Sequence, residues 1–252
     1  MKIIDCKKIA AELLNEETVK KLKGKVIHAV LKNHNKDNLS YLKSIQKTAE
    51  KYEVEVKSYT LSAEINVDSV WGCRKLSNDE SVLFVGYKEK EVRGLVAGSK
   101  SICGWSQVLD PPEAPDVACA VDWILLKLLG NKYGKPLKTT VIGRSELATK
   151  TGFGLLECNH TVTFCHTMTE NLKEYCKSAD VIVSFAGCPD LIRGDMVKKG
   201  AVIISVGCSF KDGKLCGDID LESMQNRNVW VTPTPGGVGA VTTALLFDYL
   251  AG

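Results

Sequence analysis

Two stretches of this chain carry residue types that let backbone and donors meet a ligand in a cleft. In the first, Thr232-Pro-Thr-Pro-Gly-Gly-Val-Gly-Ala-Val-Thr-Thr-Ala-Leu-Leu246, a β-prone Val229-Trp-Val231 stops at two prolines. Gly236, Gly237 and Gly239 then let backbone approach a partner closely, and an apolar helical run begins at once. The second, Val141-Ile-Gly143-Arg144-Ser145, also turns from a strand into a helix and ends in donors, so its amides and the Ser145 hydroxyl can receive phosphate oxygens. A plainer reading stays open for the glycine cluster, that of a loop in need of a sharp turn. Two such turns flanking one sheet predict a cofactor and a substrate meeting in a crevice.

The strand after Gly143-Arg144-Ser145 ends in Cys165-His166-Thr167, where an NAD-binding half carries an acidic residue for the ribose 2′-hydroxyl. Arginine and hydroxyls without a carboxylate favour a 2′-phosphate, hence NADP. The alternative leaves Arg144 a surface charge and Thr167 a helix cap. His166 is a candidate base, although a lone histidine at a strand end also packs against cofactor or backbone. Ala179-Asp-Val-Ile-Val-Ser-Phe-Ala-Gly187 ends a further strand in small residues that would admit a ring.

Elements must hold these turns in place. Asp5 is placed to cap a helix in which Ile9, Ala10, Leu13, Leu14 and Val19 recur, ending at Gly24. Expected next are strand Val26–Leu31, a helix from Asn38 or Ser40 to about Tyr52, strand Val54–Leu61, helix Ser62–Leu76 and strand Val82–Val85. Gly86 to Pro115 shows little pattern. Asp116–Leu129 is apolar nearly all round, as in a buried helix, here expected between two lobes, and Gly130–Pro136 is the natural linker. Beyond it strands Thr139–Ile142, Thr161–Cys165, Val181–Phe185 and Ala201–Val206 alternate with helices Thr149–Cys158 and Glu170–Lys177 and a helical turn Arg193–Lys198. Such alternation predicts an α/β fold with a Rossmann-like parallel sheet, and the final helix Val241–Leu250 is free to cross back to the first lobe.

With 252 residues, 44% hydrophobic and 25% charged, the chain has the composition of a soluble globular protein. A net charge of +3 without a basic run argues against nucleic-acid binding. The ten cysteines show no C-x-x-C pair and no metal-ligand spacing, so they read as reduced and no metal site is expected. With no signal-peptide h-region and no membrane-length apolar run, no membrane association is expected and the cytoplasm is the expected compartment.

Gly143-Arg-Ser, Thr161-Val-Thr-Phe-Cys-His-Thr167, Ala179-Asp-Val-Ile-Val, Gly200-Ala-Val-Ile-Ile-Ser-Val-Gly207, Gly217-Asp218 and the Pro235-Gly-Gly-Val-Gly segment occur in order. This arrangement resembles the methylenetetrahydrofolate dehydrogenase/cyclohydrolase family, most specifically in P-G-G-V-G. The resemblance implies two α/β lobes around a cleft: 1–130, completed by helix 240–252, for the reduced folate, and 131–239 for NADP. It also implies a homodimer. It places Gly143, Arg144, Ser145, Thr167, Cys208 and Thr242 at the cofactor, and Tyr41, Pro235, Gly236 and Gly237 at the substrate, with Tyr41 the catalytic aromatic.

Several positions depart from the family pattern. V-G-x-P is Ala148-Thr-Lys-Thr151, and the aspartate of a D-V-G strand end is Ser205. Y-x-x-x-K keeps Tyr41 but puts Ile45 where the lysine belongs, with Lys43 and Lys47 pointing elsewhere around the helix. V-Q-L-P-L-P becomes Leu83-Phe-Val-Gly-Tyr87, P-C-T-P becomes Ala118-Cys-Ala-Val121, and D-V-D-G-F becomes Glu91-Val-Arg93-Gly-Leu95, a donor where an acceptor stood. Hydride transfer survives such losses more readily than hydrolysis of the methenyl product, which needs the lysine. The expected activity is a dehydrogenase with weak or absent cyclohydrolase. The alternatives are a dehydrogenase for another, anionic substrate suited to Arg93, or a non-catalytic NADP-binding partner or regulator.

Overall fold

The first helix stops sooner than its apolar periodicity predicts. Asp5 opens it, Oδ1 accepting from the Lys8 amide at 3.0 Å. It spans only Cys6–Leu13, and a second helix covers Glu16–Leu22. Asn15 makes the break: its extended backbone turns the chain, and its side chain accepts from the Glu17 and Thr18 amides at 2.9 and 3.0 Å. A capping side chain in mid-pattern outweighs the periodicity around it.

The computed structural model describes residues 1–61, 70, 75–98 and 116–252. In chain order its strands are β1 Lys2–Ile3, β2 Val26–Leu31, β3 Glu55–Thr60, β4 Glu80–Val85, β5 Lys138–Ile142, β6 Thr161–Cys165, β7 Val181–Ser184, β8 Val202–Ser205, β9 Cys208–Lys211, β10 Lys214–Gly217 and β11 Trp230–Val231. The chain divides into two compact units, Met1–Glu12 with Asp116–Thr242, and Leu13–Pro115 with Thr243–Gly252. The linker-based reading had put all of 1–130 in the other lobe. Here β1 and the apolar helix Val117–Leu129 group with strands β5–β11. Among the described residues no helix is long and apolar enough to cross a membrane.

The first unit is a six-stranded sheet in the order β1-β11-β8-β7-β5-β6, with every pairing parallel. Near-continuous apolar strands such as Val181–Ser184 and Val202–Ser205 are buried along their whole length, as a sheet covered on both faces requires. Ile182, Ile203, Cys165, Ile192 and Met224 form its core on one face. The helix after β5 spans Glu146–Glu157, three residues earlier than expected, because Ser145 rather than a later threonine caps it. A hairpin β9–β10 adds to the expected elements, its turn marked by Asp212-Gly213, both in the left-handed region at φ 51 and 75.

The second unit carries the parallel sheet β3-β2-β4. Residues alternate across β2: Ile27, Ala29 and Leu31 face a core with Leu42, Ile45 and Ala49 of helix Lys36–Lys51 and Phe247 of the last helix. Val30 faces the opposite core, with Val82, Phe84, Val92 and Val96. Those last two lie on helix Glu89–Gly98, inside the stretch that showed little pattern. Two buried positions four apart are a short signal, and Gly94 between them weakens it further. The expected helix Ser62–Leu76 falls mostly outside the described residues.

Candidate functional site

All six strands of the larger sheet run the same way, so the residues that follow each of them share one edge. That edge gathers Gly143–Ser145 after β5, His166-Thr167 after β6, Phe185–Cys188 after β7, Val206–Cys208 after β8, Thr232–Gly237 after β11 and Ile4–Lys7 after β1. Strand order reverses direction between β5 and β7, and this switch point is where open α/β sheets leave room for a ligand. The two turns flanking it meet. Gly143 has φ 135, and a Cβ there would lie 2.9 Å from Phe185 Cβ. Phe185 N donates to the Ile142 carbonyl at 2.7 Å, and Gly143 N to the Cys165 carbonyl at 2.8 Å.

Arg144 and Ser145 are exposed at the start of the Glu146–Glu157 helix. Ser145 Oγ accepts from the Ala148 amide at 3.2 Å, so a lone pair serves as the cap while the hydroxyl proton can still be donated outward. Thr149 is turned to its own helix, Oγ1 donating to the Ser145 carbonyl at 3.1 Å. Thr167 is exposed and caps nothing, since the next helix begins at Leu172 after a left-handed Asn171 without a side-chain cap. His166 is tied into a local turn: Nδ1 accepts from the Met168 amide at 3.2 Å, and its own amide donates to Thr169 Oγ1 at 2.9 Å. A neutral ring so held presents a donor at Nε2, which counts against its reading as a base.

Cys208 is exposed at the first position of β9. Thr242 is buried inside the last helix, with Oγ1 donating to the Val238 carbonyl at 3.1 Å. In the glycine loop, Pro235 is exposed and Gly236 has φ 86. A Cβ on Gly237 would collide with the Pro233 carbonyl oxygen, so that position tolerates only glycine. Burial, assisted by the Asp5 carboxylate, pushes the neighbouring Cys6 thiol up to about 12, making it a small hydrophobe instead of a nucleophile.

Sequence reasoning passed over the residue with the most hydrogen bonds at this edge. Asp218, 0% exposed, accepts from Ser184 Oγ at 2.6 Å and Ala186 N at 3.0 Å through Oδ2, and from Cys188 N at 2.8 Å through Oδ1. Its own amide donates to Ser205 Oγ at 2.8 Å, and that hydroxyl donates to the Gly207 carbonyl at 3.0 Å. Ser205, standing where the family pattern has aspartate, thus joins the β8 turn to the bend after β10 that carries Asp218. The pair Gly217-Asp218 was visible in the sequence, but nothing local says which loops the carboxylate reaches.

On the second unit Tyr41 is half-buried on helix Lys36–Lys51, and Ile45, one turn on, is 0% exposed in the core. Glu91–Leu95 lie within helix Glu89–Gly98, with Val92 buried and Arg93 exposed. At the carboxyl ends of β2 and β4, Lys32 Nζ lies 2.6 Å from Glu91 Oε1 and 5.8 Å from the Tyr87 ring centroid. The hydrogen bond from Lys32 holds the Glu91 carboxyl below the usual carboxylate range.

Residues 121–251 match the family profile described as tetrahydrofolate dehydrogenase/cyclohydrolase, NAD(P)-binding domain. The bifunctional protein FolD of Thermotoga maritima is 36% identical over 272 residues, covering 98% of this chain and 96% of that protein. That of Clostridium tetani is 31% identical over 271 residues, covering 98% and 97%. Among solved structures, the FolD methylenetetrahydrofolate dehydrogenase/cyclohydrolase of Campylobacter jejuni shares the fold at a TM-score of 0.81 and 24% identity, covering 100% of this chain and 97% of its own. The corresponding Trypanosoma brucei enzyme, solved with NADP cofactor and inhibitor, gives 0.78 and 22%, with 98% and 95% covered.

Proposed function

Since the chain belongs to the tetrahydrofolate dehydrogenase/cyclohydrolase family, we propose that it oxidises 5,10-methylenetetrahydrofolate with NADP and hydrolyses the methenyl product slowly or not at all. The observation that carries the reading is the convergence, on one edge of one sheet, of the Gly143-Arg144-Ser145 turn and the Pro235-Gly236-Gly237 loop. These residues suit a dinucleotide phosphate. Gly143 has no room for a side chain beside Phe185, and helix Glu146–Glu157 opens on exposed donors. NADP, when bound, supplies the hydride acceptor.

In this reading the Arg144 guanidinium takes the 2′-phosphate, His166-Thr167 rather than a carboxylate standing directly at the end of β6, and the Ser145 hydroxyl donates to a phosphate oxygen. Thr167 and Cys208 border the cofactor on either side of the switch point, and Thr242 packs behind the glycine loop with its hydroxyl proton already committed. Pro235, Gly236 and Gly237 offer backbone to the reduced folate, and Tyr41 is assigned as the catalytic aromatic residue. The wholly buried Ile45 presents no ammonium to a water molecule, and slow hydrolysis follows from that.

The test is NADPH formation from methylenetetrahydrofolate, followed by decay of the methenyl product. Turnover is expected, with the KM for NADP rising about tenfold or more in Arg144→Ala while NADH binding changes little. Persistent NADPH binding with no turnover at high enzyme concentration would instead favour another substrate or a regulatory, non-catalytic role.

We also assign a homodimer. Phe153, Leu156, Phe164, Met168 and Tyr175 are exposed along and around β6, the edge strand of the large sheet, where paired strands would cover them. Sedimentation should give about twice the 27.5 kDa chain mass, and a monomer at micromolar concentration would remove the assignment. No disulfide joins the eight described cysteines, which fits a reducing, cytoplasmic setting.

A further inference from the structure

We propose that Lys7 is a substrate-contacting residue, its ammonium donating to a carbonyl or carboxylate oxygen of the reduced folate at the glycine loop. The inference rests on the folate reading above. Strands β1 and β11 are parallel neighbours with Ile3 opposite Val231, and Ile4 N donates to the Val231 carbonyl at 2.8 Å. The segments that follow them, Ile4–Lys7 and Thr232–Gly237, therefore leave the same edge of the sheet side by side. With Pro233, Pro235 and Gly236 the first of these segments lines a concavity of about 370 Å³.

The side chains there divide clearly. Cys6 is buried with its thiol pushed up to about 12, and Asp5 is turned to its helix, accepting from the Lys8 amide. Lys7 is exposed, and its Cε lies 3.2 Å from where a Cβ on Gly236 would sit, so its stem runs across bare glycine backbone. An ammonium on that stem hangs over the loop assigned to the substrate. On helix Lys36–Lys51 the position that would carry a lysine one turn after Tyr41 is the buried Ile45. Reduced folate, an anion with several carbonyl oxygens, presents the acceptors such a cation needs.

Lys7→Met, Lys7→Arg and, as an exposed neighbour, Lys8→Met should be compared with the unaltered protein for dehydrogenase kinetics and for NADP dissociation constant. Lys7→Met is expected to lose about 10–100-fold in kcat/KM for methylenetetrahydrofolate. Its NADP affinity should stay within about twofold, Lys7→Arg should recover part of the loss, and Lys8→Met should behave as the unaltered protein. An active parent with Lys7→Met unaffected overturns this inference and leaves the function standing, as does an equal loss in NADP affinity. A parent without turnover fails the function itself, and the inference with it.

Discussion

Ile45→Lys is expected to destabilise the second unit by about 4 kcal/mol or more, and not to create methenyl hydrolysis. Ile45 is 0% exposed and packed with Leu42, Ala49, Leu83, Val85 and Phe247. An ammonium there would lose its hydration with no carboxylate in the cluster to meet it, and removing a charge from water costs several kcal/mol even after relaxation. Ile45→Val, which only trims a methylene group, should cost about 1 kcal/mol and serves as the control. Urea unfolding distinguishes the two: the midpoint should fall far more for lysine than for valine at similar slope. A well-folded Ile45→Lys protein that hydrolyses the methenyl compound would mean that the helix turns to present this position, and the account of weak hydrolysis would be wrong.

The same position shows how far sequence reading goes. Y-x-x-x-K spacing was enough to see that Tyr41 persists and the lysine does not, because i and i+4 share a helix face wherever the helix lies. It could not say that Ile45 is wholly buried while Tyr41 is only half so, which depends on β2, β4 and the last helix arriving from distant parts of the chain. The parallel sheet was legible because alternation of apolar strands and helices has few other solutions. Asn15 and Asp212-Gly213 are failures of another kind: both carried local signals, a capping side chain and a left-handed turn pair, that were overlooked beside stronger periodicity. The grouping of Ile4–Lys7 with the glycine loop had no local signal at all. It exists because β1 adds to the far edge of a sheet whose other strands begin at Lys138.

Asp218→Ala should be the most damaging single change in the first unit, lowering stability by about 4 kcal/mol and NADP affinity by more than tenfold. Three donors converge on this carboxylate: the Ser184 hydroxyl and the amides of Ala186 and Cys188. Removing the carboxylate strands those groups and leaves a cavity, and each charge-assisted hydrogen bond is worth about 1.5–3 kcal/mol, not additively. Ala186 and Cys188 belong to the turn after β7, which flanks the switch point opposite Gly143, so loosening them also loosens the wall against which a nucleotide would lie. Asp218→Asn separates the contributions. Its amide oxygen can keep Cys188 N while its NH2 turns to Ser184 Oγ, which then accepts; the Ser184 hydroxyl proton loses its acceptor, and the Ala186 amide keeps only its 3.4 Å contact with Ser184 Oγ. That variant should cost about 2 kcal/mol, with a smaller loss of NADP affinity than alanine causes. None of the three donors is a charged side chain, so the effect should change little between low and high salt, unlike that of a surface ion pair. If Asp218→Ala keeps the parent's unfolding midpoint, or loses stability while binding NADP as tightly as the parent, Asp218 does not position the crevice turn.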